Sequence, residues 1–582
     1  MNVKRWLPCI DWAASYDRTT AGKDGLAAVI VTLMLIPQSL AYAMLAGLPP
    51  ITGLYASIAP LFLYAIFGSS RTLAVGPVAV ISLMTAAALE PMFPAGSVAY
   101  IGAAMLLAAL SGVILLLMAV LRLGFLANFL SHPVISGFIS ASGLLIALSQ
   151  LKHIFGVQAQ GQTVLELIPS LAEQIPYINL PTLMIGGICL LFLQLVRTRL
   201  KGFLLGLGCS KGWADSLTKT GPVLTIIVSV LVVTLGDLES SGVRVVGAIP
   251  EGLPVIRLPT MDWQLSMQLL PAALLISLVG FVESVSVAQT LAAKRRERID
   301  PDQELVGLGT ANIAAAVSGG FPVTGGFSRS IVNFDAGART PMAGILTAVG
   351  IALTAMYFTP LFHSLPHAVL AATIIVAVLS LVDFGSLKRT WRFSKQDFIA
   401  QAATMFGVLF MGVEIGIIMG VSLSLLLFLW RTSRPHSAVV GQLPGSEHFR
   451  NIERFAVVQS EFVLSLRVDE SLYFPNARYL EERITELMVD YPNCKHFVLM
   501  CSGVNLIDAS ALDSLEAISE RLTAAGMQLH LSEVKGPVMD QLHRSEFLQH
   551  FGGQVFVSQY AAMQTLDPVS VVRAAQLEVK HV

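Results

Sequence analysis

The sequence predicts an α-helical polytopic membrane protein with a smaller α/β domain at its C-terminal end. Three observations lead there. Hydrophobic residues make up 54% of the 582 and charged residues only 13%, roughly half the charged share of soluble domains. Composition then breaks near Arg434-Pro435, where long apolar runs give way to charges at soluble-protein density. Finally, Lys and Arg gather at alternate ends of the apolar runs, the bias that marks cytoplasmic loops. These observations define a transmembrane domain over residues 1–435, a linker over 436–449 and a soluble domain over 450–570.

A membrane-crossing helix needs about 20 apolar residues, fewer where protein shields a broken helix. Seven candidate spans fall near 25–45, 51–69, 76–92, 98–121, 126–150, 180–196 and 220–236. Seven more fall near 267–291, 303–318, 326–337, 340–358, 365–382, 397–411 and 414–431. With the N-terminus inside, every even-numbered span should end in basic residues. The ends carry Arg71, Arg122, Arg197 with Lys201, Lys294 to Arg298, Arg339, Lys388 with Arg392, and Arg431 with Arg434. The opposite loops carry Glu90, Glu166, Asp237 and Glu414. Both termini are therefore expected in the cytoplasm, with the chain in the plasma (inner) membrane.

The fourteen expected spans divide into two sets of seven, and an odd number per half requires the halves to be inverted. Gly76-Pro77 opens the third span of the first half; Gly325-Gly326 opens the third span of the second. A matched pair of short, Gly/Pro-interrupted spans is the best sequence pointer to a transporter binding site. Half-helices starting at mid-membrane would aim free N–H groups and positive dipole ends at one point, which favours an anion. The plain alternative is a packing kink in each. Arg329, in Gly326-Phe327-Ser328-Arg329-Ser330, adds a full charge there; intramembrane arginines are functional candidates or pair with a carboxylate. The carboxylate at hand is Glu283, deep in the eighth span. Such a group exchanges between a proton and the arginine, which suits it to proton coupling, although helix-packing glue is the simpler role. In the first span Gln38 and Tyr42 follow Pro37 and lie one turn apart on one face.

After the break, strands are expected at 454–458, 461–468, 496–501, 528–533 and 554–558, with helices near 476–490, 509–525, 536–548 and 560–566. Alternation of this kind reads as α/β. Asp508 is placed to cap the helix that follows it; a regulatory Ser510 is the functional alternative.

Several classes are excluded. The net charge of −1 and the lack of a basic, aromatic-interleaved patch argue against nucleic acid. No Gly-x-Ser-x-Gly, P-loop or zinc-spaced His pair is present, so neither catalysis nor a metal or organic cofactor is expected. Cys9, Cys189, Cys209, Cys494 and Cys501 show no ligand spacing and read as free thiols. A short N-terminal interfacial helix is expected, with Trp6 and Trp12 at headgroup level.

The chain resembles the sulfate permease (SulP) family of anion transporters with a C-terminal STAS domain. The resemblance rests on Ile36-Pro37-Gln38-Ser39-Leu40-Ala41-Tyr42, Gly53-Leu54-Tyr55 with Ser70-Arg71, Gly76-Pro77-Val78-Ala79-Val80, and Gly325-Gly326-Phe327-Ser328-Arg329-Ser330. It implies fourteen spans in two inverted repeats, core and gate subdomains, and commonly a homodimer. It also implies an anion site met by Gln38, Tyr42, Val78, Ala79, Phe327, Ser328 and Arg329, with Glu283 at the proton-coupling position. The STAS part resembles anti-sigma-factor antagonists, whose loop reads Asp-Ser-Ser-Gly with a phosphorylated second serine. Here it is Asp508-Ala509-Ser510-Ala511, lacking the glycine and one serine.

The function expected is secondary active, alternating-access transport of a small oxyanion, sulfate first, by proton symport. Sodium-coupled bicarbonate or C4-dicarboxylate transport, and an uncoupled exchanger or channel, are the alternatives.

Overall fold

The computed structural model describes residues 7–128, 131–208, 218, 221–260 and 262–577. The chain forms two compact units, Met1–Ser424 and Leu425–Val582. Trp6 and Cys209, and the side chain of Ser328, lie outside the described residues.

In the first unit, eight helices among the described residues are long and apolar enough to cross a membrane. They include α1 (Arg18–Leu45) and the 33-residue α3 (Trp263–Arg295). Helices occupy the remaining expected stretches too, but several are short: α2 (Ala79–Leu89), α4 (Pro301–Val317) and α5 (Phe327–Asp335). The second expected span is two helices, Pro50–Tyr55 and Ala59–Phe67. Pro60 in the first turn of the latter suits a helix start. Gly53 lets the first of the pair lie on α1, since a Cβ there would fall 1.9 Å from the Ser39 carbonyl oxygen. Two surface helices, Val164–Glu173 and Phe384–Phe393, were not expected; each is too short and too polar on one face to register as a span.

The short N-terminal helix exists, as Cys9–Ala14, and Trp12 packs into the protein. It is 7% exposed, and its indole N–H donates to the Ala65 carbonyl at 3.3 Å. The apolar face of that helix has found protein rather than lipid.

Between the helices lie two two-residue strands, β1 (Val75–Gly76) and β2 (Thr324–Gly325), paired antiparallel with Val75 opposite Gly325 and Gly76 opposite Thr324. Backbone this irregular survives in a membrane only when its polar groups are satisfied by protein. Asn312 does this from α4: its Nδ2 donates to the Val323 carbonyl and its Oδ1 accepts from the Val323 N–H.

Glu304, fully buried at the start of α4, accepts from the Tyr64 hydroxyl at 2.8 Å, from Ser69 N–H and hydroxyl, and from Ser70 N–H. It fixes the loop that leads into β1.

The second unit is a six-stranded sheet ordered β4-β3-β5-β6-β7-β8. Its strands are β3 (Ser437–Gln442), β4 (Phe449–Asn451), β5 (Val463–Val468), β6 (His496–Met500), β7 (Gln528–Ser532) and β8 (Val555–Phe556). β5 to β8 run parallel, while β3 is antiparallel to β4 and β5. Two expectations are corrected. The stretch 436–449, read as a linker, holds β3 and runs into β4. The strand expected at 454–458 is absent, apart from a bridge from Val458 to Gln442. β3 pairs through 437–439 with β5 and through 440–442 with β4, so the later segment meets it only where Val458 and Gln442 exchange backbone hydrogen bonds. Asp508 caps α6 (Ala509–Ala524) by accepting from the Ala511 N–H at 2.9 Å, and Ser510 is exposed beside it.

Within this sheet, His530 is 2% exposed. Its Nδ1 accepts from the Gln554 N–H, so Nε2 carries the proton and donates to His496 Nδ1 at 3.0 Å. Burial, then the neighbouring His496, holds the His530 pKa down to about 4 from the usual 6.5. The unfolded chain therefore binds this proton first as pH falls. The stabilisation is complete above pH 6.5 and is lost as pH falls toward 4.

Two measurements check these points. Hydrogen exchange over residues 496–532 should speed up progressively between pH 6.5 and 4 beyond its intrinsic pH trend, and His530→Gln should flatten that excess. Glu304→Ala should cost about 3 kcal/mol or more by orphaning buried donors, seen as a lowered melting temperature in detergent; Tyr64→Phe should cost less.

Candidate anion-binding site

The two short strands place the starts of α2 and α5 side by side. Val78 and Gly326 are the N-caps, and neither helix has a side-chain cap. The first intrahelical bonds run from Ser82 N–H to Val78 O and from Ser330 N–H to Gly326 O. By helix geometry, the N–H groups of residues 79–81 and 327–329 have no acceptor within their own helices. Pro77 was expected in the first turn; the helix instead starts at Ala79, so Pro77 belongs to the extended approach, where its missing N–H leaves nothing to satisfy.

Arg329 sits between these ends. It is 3% exposed, and both terminal nitrogens, Nη1 and Nη2, are buried without a hydrogen-bond partner. Its guanidinium packs on bare backbone. A Cβ on Gly76 would come within 2.7 Å of Nη1, and one on Gly326 within 2.9 Å of Nε. Gly76, Gly326 and the arginine are therefore parts of one object. A buried cation with free donors is costly unless an anion completes it.

Tyr42 on α1 is 8% exposed and lies within electrostatic reach of both Arg329 and Glu283. Val78 is buried and in reach of Gly326, whose added Cβ would meet Val78 Cγ1 at 3.1 Å. Ala79 packs in one cluster with Leu40 and Tyr42. Phe327, at 42% exposure, is the most open of these positions. Gln38 lines a cavity of about 250 Å³ together with Arg197, Thr373 and Ser380. Glu283 is partly exposed on α3 and within electrostatic reach of Arg329, yet the two make no ion pair among the described residues.

A second layer was not anticipated. Ser284, next to Glu283, accepts from the Gly325 N–H at 2.9 Å and shares a hydrogen bond with Thr324 Oγ1, which also donates to the Gly280 carbonyl. Ser330 accepts from Ala74 N–H and donates to Gly326 O. Asn333 Nδ2 donates to the Thr72 carbonyl. Together these tie α3, β1 and β2 into one frame. Polar residues in otherwise apolar spans were the available signal, for Asn312, Asn333 and Glu304 alike. Among the described residues, no group of three or more His, Cys, Asp or Glu is arranged to hold a metal.

The sulfate permease family matches residues 22–404, and the STAS domain matches 454–562. The chain belongs to the sulfate permease family. It is thus a multi-pass integral membrane protein of a transporter family, not an enzyme. It is 35% identical to the chloroplastic sulfate transporter 4.1 of Arabidopsis thaliana, over 100% of this chain and 86% of that protein. It is 33% identical to a probable sulfate transporter of Mycobacterium tuberculosis, covering 97% of this chain and 98% of that one. The fold is shared with murine solute carrier 26 member A9, an anion transporter solved in the inward-facing state. That match has a TM-score of 0.87 at 22% identity, covering 97% of this chain and 94% of that one.

Because Arg329 has no room to retreat from Gly326, Gly326→Ala should lower anion uptake by roughly tenfold, the equivalent of about 1.4 kcal/mol in site geometry. Its detergent melting temperature should move little. Equal losses in both would show that Gly326 serves folding alone.

Proposed function

We propose that this protein is a secondary active transporter of a small oxyanion, sulfate first, working by alternating access. One observation carries the reading: a desolvated arginine with two unpartnered nitrogens, set between two uncapped half-helix N-termini. Both terminal nitrogens of Arg329 lack an acceptor, and an anion supplies several. The names of the full-length relatives favour sulfate among oxyanions. Bicarbonate and C4-dicarboxylates meet the same charge requirement. On this reading Gln38, Tyr42, Val78, Ala79, Phe327, Ser328 and Arg329 line the site.

The finer architecture belongs to the proposal as well. Fourteen spans in two inverted seven-span repeats agree with the pairing of β1 with β2 and with the basic span ends. Core and gate subdomains, a homodimer, cytoplasmic termini and STAS domain, and residence in the plasma (inner) membrane complete it. Ser510 is exposed enough for modification, while Asp508 already accounts for the cap.

Glu283 is the proposed proton carrier. It lies within reach of Arg329 and adjoins Ser284, which braces β2. A second reading, an uncoupled exchanger or channel, is favoured by the absence of a Glu283–Arg329 ion pair among the described residues.

Uptake of radiolabelled sulfate, bicarbonate and succinate into proteoliposomes under an imposed pH gradient tests both levels. Sulfate should accumulate, and Arg329→Ala should abolish uptake of every substrate. Glu283→Gln should remove the dependence on the gradient. Unchanged proton dependence in that variant would overturn the coupling role, and current without accumulation would favour the channel.

A further inference from the structure

A second cation cluster lies apart from the transport site, on the face where the basic span ends gather. We propose that it binds a tetrahedral dianion of the phosphomonoester class, either a lipid headgroup or free phosphate. The seat is a cavity of about 270 Å³ lined by Lys23, Arg71, Arg339 and Glu297, with Thr20 among its hydroxyls. A neighbouring cavity of about 290 Å³ shares Arg71 and Glu297 and adds Trp12, together with Arg298 and Asp11, whose charges cancel.

The charges do not balance internally. Three cations in the cavity face one carboxylate, a net of two positives. Arg295, at the end of α3, lies within electrostatic reach of Arg71, Arg339, Glu297 and Asp24. Counting Arg295 and Asp24 leaves the net unchanged. Asp24 is fully buried, and its oxygens are taken by the N–H groups of Arg339 and Thr340 and by the Thr340 hydroxyl.

An ordinary solvated basic face would not show the next two features. Lys23, Arg71, Arg295 and Arg339 come from four separate chain segments: the second turn of α1, the approach to β1, the end of α3 and the segment after α5. None makes an ion pair among the described residues, although Glu297 lines the same cavity. Arg295 stacks on the Phe334 ring at 4.4 Å, and its Nη1 is buried with no hydrogen-bond partner. Exposed Arg71 and Arg339 on one cavity, with the unbonded Nη1 of Arg295 in electrostatic reach of both, fit a ligand with several charged oxygens on one centre. Two net positive charges fit a doubly charged phosphate, and juxtamembrane cations are where lipid phosphates are met.

The test uses the full chain. For a free phosphate ligand, calorimetric titration with inorganic phosphate should show binding that survives Arg329→Gln, which disables the transport site. Arg71→Gln and Arg339→Gln should each weaken it about fivefold. In parallel, uptake and melting temperature are compared in phosphatidylcholine vesicles with and without phosphatidic acid. A lipid ligand appears as a phosphatidic acid effect that both variants lose, with inorganic phosphate inert. A free ligand appears as the reverse. Lys23→Gln, at an exposed position, repeats the measurement if an arginine variant fails to fold. Phosphate binding that disappears with Arg329→Gln alone, or variants that match the parent in both arms, would overturn the proposal.

Discussion

Everything in the membrane unit is arranged around a buried guanidinium that has no partner of its own. Arg329 is desolvated, its terminal nitrogens are unbonded, and the nearest surfaces are the backbone of Gly76 and Gly326. Such a group is tolerated only where the surroundings hold it in place and a ligand can complete it. The surroundings do hold it. β1 and β2 bind each other, Ser284 and Thr324 bind β2 to α3, and Asn312 satisfies the turn before it. Glu304 fixes the loop entering β1 from the other side. The frame holds the guanidinium where the two half-helix ends meet.

Much of this was legible in the residues. Glycines, a proline and an arginine inside apolar runs announce irregular backbone at depth, and two such places at matching positions announce a pair. That Val75 would lie opposite Gly325 was not legible, because a two-residue pairing leaves no periodicity. The supporting polar residues were visible but unassigned: Asn312, Asn333 and Glu304 stand out by polarity, while their acceptors are backbone atoms that no sequence pattern marks. In the soluble unit the parallel strands and their helices were readable because their apolar runs repeat. β3 was missed because its short run follows Arg434-Pro435, where composition suggests a linker. The protein contact of Trp12 was not legible for a related reason: amphipathic character shows that one face is buried, not whether lipid or protein covers it.

The same physics separates the two units. In the membrane unit, Arg329 leaves two buried nitrogens unbonded at one point, and Ser284, Ser330 and Asn333 are spent on positioning the backbone around it. In the sheet, polar side chains close on one another: Gln559 bridges Ser465 and Ser532, and His530 bridges Gln554 and His496. Satisfied networks of this kind give rigidity rather than a ligand seat. The contrast supports assigning the anion to the half-helix pair and leaving the sheet a scaffold for contacts made elsewhere.

Charge bookkeeping bears on how the proposed transport would be driven. Moving one charge through the membrane potential is worth about 2.3 kcal/mol per 100 mV. A dianion entering against an inside-negative potential therefore costs roughly 4.6 kcal/mol per 100 mV, so an uncoupled pathway would carry sulfate outward. One proton carried through Glu283 returns half of that, leaving a single net negative charge per cycle. The chemical part of the proton gradient must then outweigh the potential, or a second cation must travel too. Arg329 does not alter this balance, because it stays with the protein through the cycle. Its part is to offset one of the two charges, with about half a charge more from each half-helix end, in the low-dielectric interior where an uncompensated dianion would be held out altogether. On this reading the arginine determines whether the anion enters the membrane, and the carboxylate determines which way it flows.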